Sequence, residues 1–540
     1  LCHARMELMR LLTVLLISLL IGAGVLPATA LGGQPDATPS ASPSDSASPS
    51  PSPTTPAPAG PTVYPVFNDP RVGDPDPRIN DELVSLIDRV PESGQISAAL
   101  FVVAPNHAVV DALLAARARG VAVRLVIDSG QNQGSVIAQT LAETIAKLSA
   151  ALGTDRSQTS YVVQCVNACI SKIAGSINHN KYVLMSEAGD LRDVVFTSTS
   201  NIRSDGSGDA AWNAATVSAG SPELYASFMT YFGNLSAQVT VPGNDYNAVQ
   251  PPTPVGIWRP YYFPRTDGID SVSQTLMGVD CSLTPTRIDV MASFFNRVKV
   301  RNRLNEMAAA GCSVRVIART DSITRAFCDS LVAPVQVRIA DKPSQRAVGI
   351  HGKYITIAGG FEGADRRIVW MGSENLTGNA LRRNDETFLM IEDTPVHDAF
   401  AGNFARIWDD PSLTTGCDRA NGVSNEQIEQ DANQETTPLI KEQQSVKRGL
   451  PRRLTKRSAI KAVRTVQGQP LMTTATCRVK GTRQKFKARA ACTVKRPKTT
   501  PTVVLTVAKK RVLRVRLRQT APGSATLEPF ARSARYSYRR

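Results

Sequence analysis

Histidine is scarce in this 540-residue chain, with five in all: His3, His107, His179, His351 and His397. So few weaken any reading built on a histidine-rich metal centre. Aromatic residues are thin at 6%, and of the nine cysteines the eight beyond Cys2 form no C-x-x-C pair and have no nearby histidine, so zinc is a poor reading of the closely spaced ones. Acidic residues almost vanish from 441–540, where 28 Lys+Arg face 2 Asp+Glu, a formal net of +26. The residues before them carry 34 against 44, a net of −10, so the overall +16 averages a mildly acidic body with a strongly basic tail. The apolar run Leu11 to Leu26 has 16 residues, short of the roughly 20 that span a bilayer. What is present is an ordinary globular balance, 42% apolar and 20% charged, which excludes wholesale disorder and leaves room for two to four domains.

That run opens at Arg10 and closes with Pro27 and Ala28-Thr29-Ala30. A basic start, a short apolar stretch and an A-x-A end predict a secretory signal peptide over 1–30 and a secreted product, with an uncleaved anchor as the competing reading. The five residues before Met6 read as an upstream-extended start, and no cysteine follows the cleavage site, against a lipid anchor. Residues 31–66 read as a linker: nine prolines fall between 35 and 61 among Ser, Thr and Ala, with only Asp36 and Asp45 charged. Removing Cys2 with the signal leaves eight cysteines, an even count that fits disulfides in an exported chain. Proximity favours Cys165–Cys169 and Cys477–Cys492; connectivity among Cys281, Cys312, Cys328 and Cys417 stays open.

An internal duplication organises the body. A strand Ile96–Val103, a helical stretch Val109–Arg119 and a strand Gly120–Asp128 recur as Ile288–Phe295, a helix through Ala310, and Gly311–Ala318. Near-continuous apolar strands alternating with helices predict a sheet covered on both faces. Further on, Ile177–Leu184 parallels Ile350–Ile357, each followed by a strand ending in a polar turn at Asn201 and Asn375. The glycines Gly120 and Gly311 are 191 residues apart and His179 and His351 only 172, so 19 extra residues precede the first histidine, where Cys165 and Cys169 lie. A repeat this long is a duplicated domain rather than a solenoid.

Each half thus carries one His-x-Lys, His179 with Lys181 and His351 with Lys353, and one asparagine 22 or 24 residues after its histidine. Read as strands, residues two apart share a face, so each histidine and its lysine address one space; two half-buried polar strand ends kept by duplication are the plain alternative. A neutral imidazole is a competent nucleophile at phosphorus and a protonated one a competent acid near neutrality. Ammonium and amide donors stabilise the charge on non-bridging phosphate oxygens. One histidine from each half predicts phosphodiester cleavage through a phosphohistidine, with no cofactor and no metal, and a monomer suffices for the site.

The paired His-x-Lys segments with trailing Gly372-Ser373-Glu374-Asn375 resemble the phospholipase D superfamily, in particular its secreted bacterial members, over roughly residues 70–410. The resemblance implies an α/β fold: two duplicated α/β/α/β/α phospholipase D-like sandwich halves with pseudo-twofold symmetry, taken here as 67–270 and 271–416, with the site on the seam. It implies hydrolysis or transfer at a phosphodiester, and site residues His179, Lys181, Asn201, His351, Lys353, Asn375 and Glu386. Departures fall mainly in the first half, where Ser198 and Thr199 replace Gly-Ser. Ser186 and Ala358 stand where the family keeps an acid after His-x-Lys. Ala215 falls roughly opposite Glu386, with Asn213 and Asp209 the nearest polar alternatives. By the family's pattern Glu386 orients His179, and His351 lacks its usual partner. That favours His179 as nucleophile and His351 as general acid, the reverse being the alternative; a surface ion pair is the plain reading of Glu386. Trp258, Tyr261, Tyr262 and Phe263 line a channel or, more simply, pack the halves together.

Beyond a polar and basic linker (417–455), residues 456–540 alternate short β-type runs (Thr473–Val479, Ala490–Val494, Val503–Val507, Val512–Leu517) with basic turns. They predict a small basic β-rich C-terminal domain that binds a polyanion: an anionic membrane, a wall polymer or nucleic acid. The expected substrate is a glycerophospholipid; the competing readings are a secreted endonuclease acting on DNA or RNA, and a non-catalytic polyanion- or surface-binding protein.

Overall fold

The computed structural model describes residues 61–422 except 284, 345 and 346, and the backbone of strands lying between 475 and 537. The expected signal peptide and most of the two linkers fall outside the described residues.

The first sheet is built from β1 (Thr62–Phe67), β2 (Gln95–Leu100), β3 (Ala122–Asp128), β4 (Tyr161–Cys165), β5 (Lys181–Ala188), β6 (Leu191–Ser198) and β8 (Ala214–Ala219), with β7 (Ala211–Trp212) outside it. Its order is β1-β8-β6-β5-β2-β3-β4. Helices α1 (Arg78–Asp88), α2 (Ala108–Ala118), α3 (Ser135–Leu152) and α4 (Pro222–Ser236) accompany it. Strands β2 and β3 are almost wholly buried, which is why they read as unbroken apolar runs. His107 caps α2, its ring accepting from the Val109 amide at 3.3 Å, so this histidine is spent on a helix start.

The second sheet repeats the plan with β9 (Trp258–Tyr262), β10 (Arg287–Ala292), β11 (Ser313–Arg319), β12 (Gln336–Ala340), β14 (Lys353–Phe361), β15 (Ala364–Gly372), β16 (Thr387–Glu392) and β17 (Thr414–Thr415), while β13 (Gly349–Ile350) stands apart. Its order is β17-β12-β11-β10-β14-β15-β16-β9. Helices α5 (Ser271–Thr275), α6 (Val298–Ala309), α7 (Arg325–Asp329), α8 (Gly378–Arg382) and α9 (Thr394–Trp408) complete it. The parallel trio β2-β3-β4 matches β10-β11-β12, and the ladders Leu100↔Lys181 and Ala292↔Lys353 fix one register for both halves. Gly120 and Gly311 recur because each leaves a helix with positive φ, 97° and 101°, a conformation glycine adopts without a Cβ penalty.

Two apolar cores lie one in each half, and a third spans the seam, joining Tyr182, Phe228 and Tyr231 to Tyr354, Met371 and Phe400. Trp258, Tyr261, Tyr262 and Phe263 are buried, so the aromatic segment packs rather than lining an open channel. Strand β9, assigned by the division at 270 to the first half, hydrogen-bonds to β16, so the second sheet recruits its edge from before that boundary.

Two further differences are informative. The segments expected as strands from Ile177 and Ile350 join the two large sheets only at Lys181 and Lys353, leaving both histidines in the extended chain between those strands and the short pairings at Asn178 and Ile350. At the C-terminus five antiparallel strands appear rather than four: β18 (Ala475–Lys480), β19 (Arg489–Val494), β20 (Thr500–Ala508), β21 (Val512–Thr520) and β22 (Ala531–Ser537). The last was not anticipated. Cys477 and Cys492 are direct register partners, but their side chains lie outside the described residues.

Disulfides join Cys165–Cys169, Cys281–Cys312 and Cys328–Cys417. The last spans 89 residues, for which loop-closure entropy gives about 4–5 kcal/mol. Replacing both Cys328 and Cys417 by alanine should therefore lower the calorimetric Tm by roughly 5–10 °C; an unchanged Tm contradicts this.

Candidate active site

Both histidines are held at the seam by a reciprocal exchange of backbone. His179 donates its amide to the Asp385 carbonyl (2.9 Å), beside a parallel bridge between Asn178 and Asp385. His351 and Gly352 donate theirs to the Trp212 carbonyl (both 2.9 Å), beside the parallel pair β13–β7. In each case the residue before a histidine is tied to the residue before that histidine's side-chain partner in the other half.

For His179 the partner is Glu386, with Nδ1 2.8 Å from Oε2, the imidazole nearly buried and the carboxylate fully so. Ser373 Oγ donates to the same oxygen (2.6 Å) and Asn384 Nδ2 to the other (3.2 Å). Burial raises Glu386 to about 7 against the pull of Lys181. A carboxylate accepting from Nδ1–H leaves the Nε2 lone pair free, the tautomer a nucleophile needs. The Phe101 ring packs on His179 at 4.9 Å between centroids, and Lys181 Nζ lies 5.1 Å from the same ring while donating to the His179 carbonyl (2.7 Å). Asp385, one residue before Glu386, accepts backbone amides of Cys169, Ile170 and Ser171, so the disulfide-closed insertion buttresses this corner.

For His351 the partner is Asn213, with Nδ1 3.2 Å from Oδ1. Asn213 Nδ2 donates to the Gly208 carbonyl (2.9 Å), which fixes Oδ1 as the acceptor and Nδ1–H of His351 as the donor. Thr199 Oγ1 also donates to Oδ1 (2.8 Å), as Ser373 does to Glu386. Lys353 Nζ folds back onto the His351 carbonyl (2.6 Å). Burial pushes both imidazoles well below the usual range; Lys181 and Lys353 add to this at His179, while Lys353, Lys181, Arg319 and His179 itself add to it at His351. Each ring therefore feels the other half's charges, as groups sharing one space do. Burial also brings Lys181 down to about 7 and lowers Lys353 well below the usual ammonium range. Buried lysines and imidazoles lowered in this way take up charge when an anion binds beside them, so the site is built to receive one.

The sequence pattern described as "Cardiolipin synthase, PLD-like domain" matches residues 83–236 and 282–408, together just over half the chain and one segment per half. The chain belongs to the phospholipase D superfamily. No curated protein sequence matches it. Among solved structures, it is similar to the polyphosphate kinase of Porphyromonas gingivalis (12% identity, 65% of this chain and 51% of that one, TM-score 0.44), of whose length it spans about half. It is also similar to the phosphatidylserine synthase of Haemophilus influenzae Rd KW20 (12% identity, 62% and 84%, TM-score 0.44). A third similarity is to Nuc, a phospholipase D family member of Salmonella typhimurium (19% identity, 33% and 95%, TM-score 0.24).

Within this superfamily site, one expectation is corrected. Ala215 is not opposite Glu386: the amides of Thr199 and Ser373 bond to the carbonyls of Ala214 and Thr387, so Asn213 holds the position equivalent to Glu386. His351 thus has a partner, but a neutral one. Glu386, wholly buried, is no surface ion pair. Asn201 and Asn375 follow Thr199 and Ser373 by two residues and bond to neither imidazole; each leaves its Oδ1 unpartnered. Asn201 Nδ2 is held by Ser207 Oγ (2.7 Å).

Asp385 and Arg297 were not singled out from the sequence, and Ser373 and Thr199 were read there only as motif positions, not as donors to Glu386 and Asn213. Arg297, fully buried, pairs with Asp270 and with Glu374, which lies between Ser373 and Asn375, and so anchors that turn. Burial raises Glu374 to about 8, while Arg297 holds Asp270 below the usual carboxylate range against burial, so the triad is near neutral overall. Among the described residues, no group of three or more His, Cys, Asp or Glu is placed to hold a metal ion.

Proposed function

We propose that the chain is a secreted phosphodiesterase of phospholipase D type that hydrolyses glycerophospholipids, or transfers their phosphatidyl group, through a phosphohistidine and without a metal. The observation that carries this reading is the crossed pairing of His179 with Glu386 and His351 with Asn213 across the seam. His179 Nε2 attacks phosphorus, forming a P–N bond as the P–O bond to the leaving alcohol breaks. The electron pair goes to that oxygen, which takes a proton from cationic His351. Water then gives a proton to His351 and attacks phosphorus, freeing His179 and phosphatidate; an alcohol in its place gives transfer. His351 is depressed in the free protein, so it becomes a competent acid when the bound phosphate offsets the surrounding cations. Lys181 and Lys353 supply charge to the non-bridging oxygens.

Export is supported by three disulfides, compatible with an oxidising compartment, and by the signal-like N-terminal sequence. Among the described residues no helix is long and apolar enough to cross a membrane. The basic strands β18–β22 would hold the enzyme on an anionic surface.

The test compares phosphatidylcholine vesicles with plasmid DNA, both in EDTA. Choline release with intact plasmid is expected; nicked plasmid with intact lipid overturns the lipid reading. Deleting 441–540 should flatten the salt dependence of attachment to anionic vesicles and spare cleavage of a small soluble diester, and loss of that cleavage contradicts the division of labour.

A further inference from the structure

The two sides of the site are unequal, beyond the exchange of Glu386 for Asn213. Ladder register makes Phe101 equivalent to Ser293 and Asp128 equivalent to Arg319, since Leu100 pairs with Ile127 and Lys181 as Ala292 pairs with Ala318 and Lys353. On the His179 side this yields an aromatic wall and an acid satisfied by backbone: Asp128 accepts the amides of Gly130 (2.7 Å) and Asn178 (2.8 Å). On the His351 side it yields a hydroxyl and a guanidinium. Ser293 donates its amide to the Gly352 carbonyl (3.2 Å), immediately after His351. Arg319 Nη1 reaches Ser293 Oγ (3.4 Å), and its guanidinium lies 4.2 Å from the Phe294 ring centroid.

Arg319 is 7% exposed, yet among the described residues its only carboxylate partner is Asp321, which also meets Lys342 at 3.5 Å. Two cations thus share one carboxylate. The Arg319 guanidinium sits within electrostatic reach of His351 with one partly exposed, shared carboxylate opposite it, an arrangement that a ligand anion would complete. The stacked, planar donor is suited to a phosphate or carboxylate.

We infer that Arg319, with Ser293, binds an anionic group on the leaving alcohol, so that the preferred substrate is a glycerophospholipid whose headgroup carries a second anion beyond the scissile phosphate. The inference rests on the reading above, in which His351 protonates the leaving oxygen and the leaving alcohol therefore lies on its side. Choline, a cationic leaving alcohol, then serves as a slower substrate.

The experiment uses the full chain and two short-chain lipids that differ only in the leaving alcohol: phosphatidylglycerol, which releases glycerol, and phosphatidylglycerophosphate, which releases glycerol phosphate. The phosphorylated headgroup is expected to be cleaved with the higher kcat/KM. Arg319→Gln should lower kcat/KM for it by about 30-fold or more and for phosphatidylglycerol by less than about threefold, and Arg319→Lys should recover part of the loss. The neutral headgroup, on the same preparation, controls for folding. Equal kcat/KM for the two lipids, or an equal loss on both in Arg319→Gln, overturns the inference while leaving the phospholipase reading in place. Failure of the unaltered protein to cleave either lipid overturns that reading and, with it, this inference.

Discussion

Alanine in place of His179 is expected to abolish turnover, with kcat down by at least about 10⁴-fold, and to leave no covalent intermediate. His351→Ala should be equally slow on a lipid, whose alkoxide leaves only with a proton. On a p-nitrophenyl phosphodiester, whose leaving group needs none, His351→Ala should still release about one equivalent of nitrophenolate per site and then stall, because the second step lacks its base. A burst in His179→Ala and none in His351→Ala would reverse the roles. The basis is structural: one imidazole is held by a buried carboxylate at 2.8 Å, the other by an amide at 3.2 Å.

Glu386→Gln should cost about 10²–10³-fold in kcat, because a neutral amide no longer raises the basicity of Nε2 or stabilises the positive charge that develops on the ring. Its pH profile separates this from mere damage. Glu386 is raised to about 7, so as pH falls through that value it gains a proton and stops accepting from His179. Lys181 is lowered to about 7, so as pH rises through that value it loses the charge that meets the phosphate. The unaltered protein should therefore show kcat/KM peaking close to pH 7 and falling on both sides, and Glu386→Gln should lose the acid limb while keeping the alkaline one. A flat profile between pH 6 and 8, or an acid limb surviving in the variant, contradicts these assignments.

How far the sequence disclosed this molecule depends on the distance over which each feature is encoded. Local features were legible: β2, α2 and β3 and their repeats β10, α6 and β11 follow from apolar runs closed by Gly120 and Gly311, whose positive φ each helix exit requires. The two His-x-Lys segments were legible because histidine and lysine lie only two residues apart in the chain. Asn213 was harder, because its equivalence to Glu386 is fixed by strand pairing through Ala214 and Thr387, which counting along the chain missed by two residues. The Cys281–Cys312 and Cys328–Cys417 bonds carried no local signal. Nothing in the local sequence singles out Arg319; only the parallel register beside β10 brings it to Ser293 and within electrostatic reach of His351. The histidines were placed one step too far into regular structure, since alternation continues smoothly from extended chain into ladder.

The twin straps at Asn178–Asp385 and Ile350–Trp212 constrain how a bulky ligand gets in. Because each lobe grips the other one residue away from its own imidazole, hinging them apart like jaws would swing both rings off their supports and shut down the chemistry. A phosphodiester therefore has to reach the two imidazoles with both straps intact, so its binding cannot depend on the lobes swinging open.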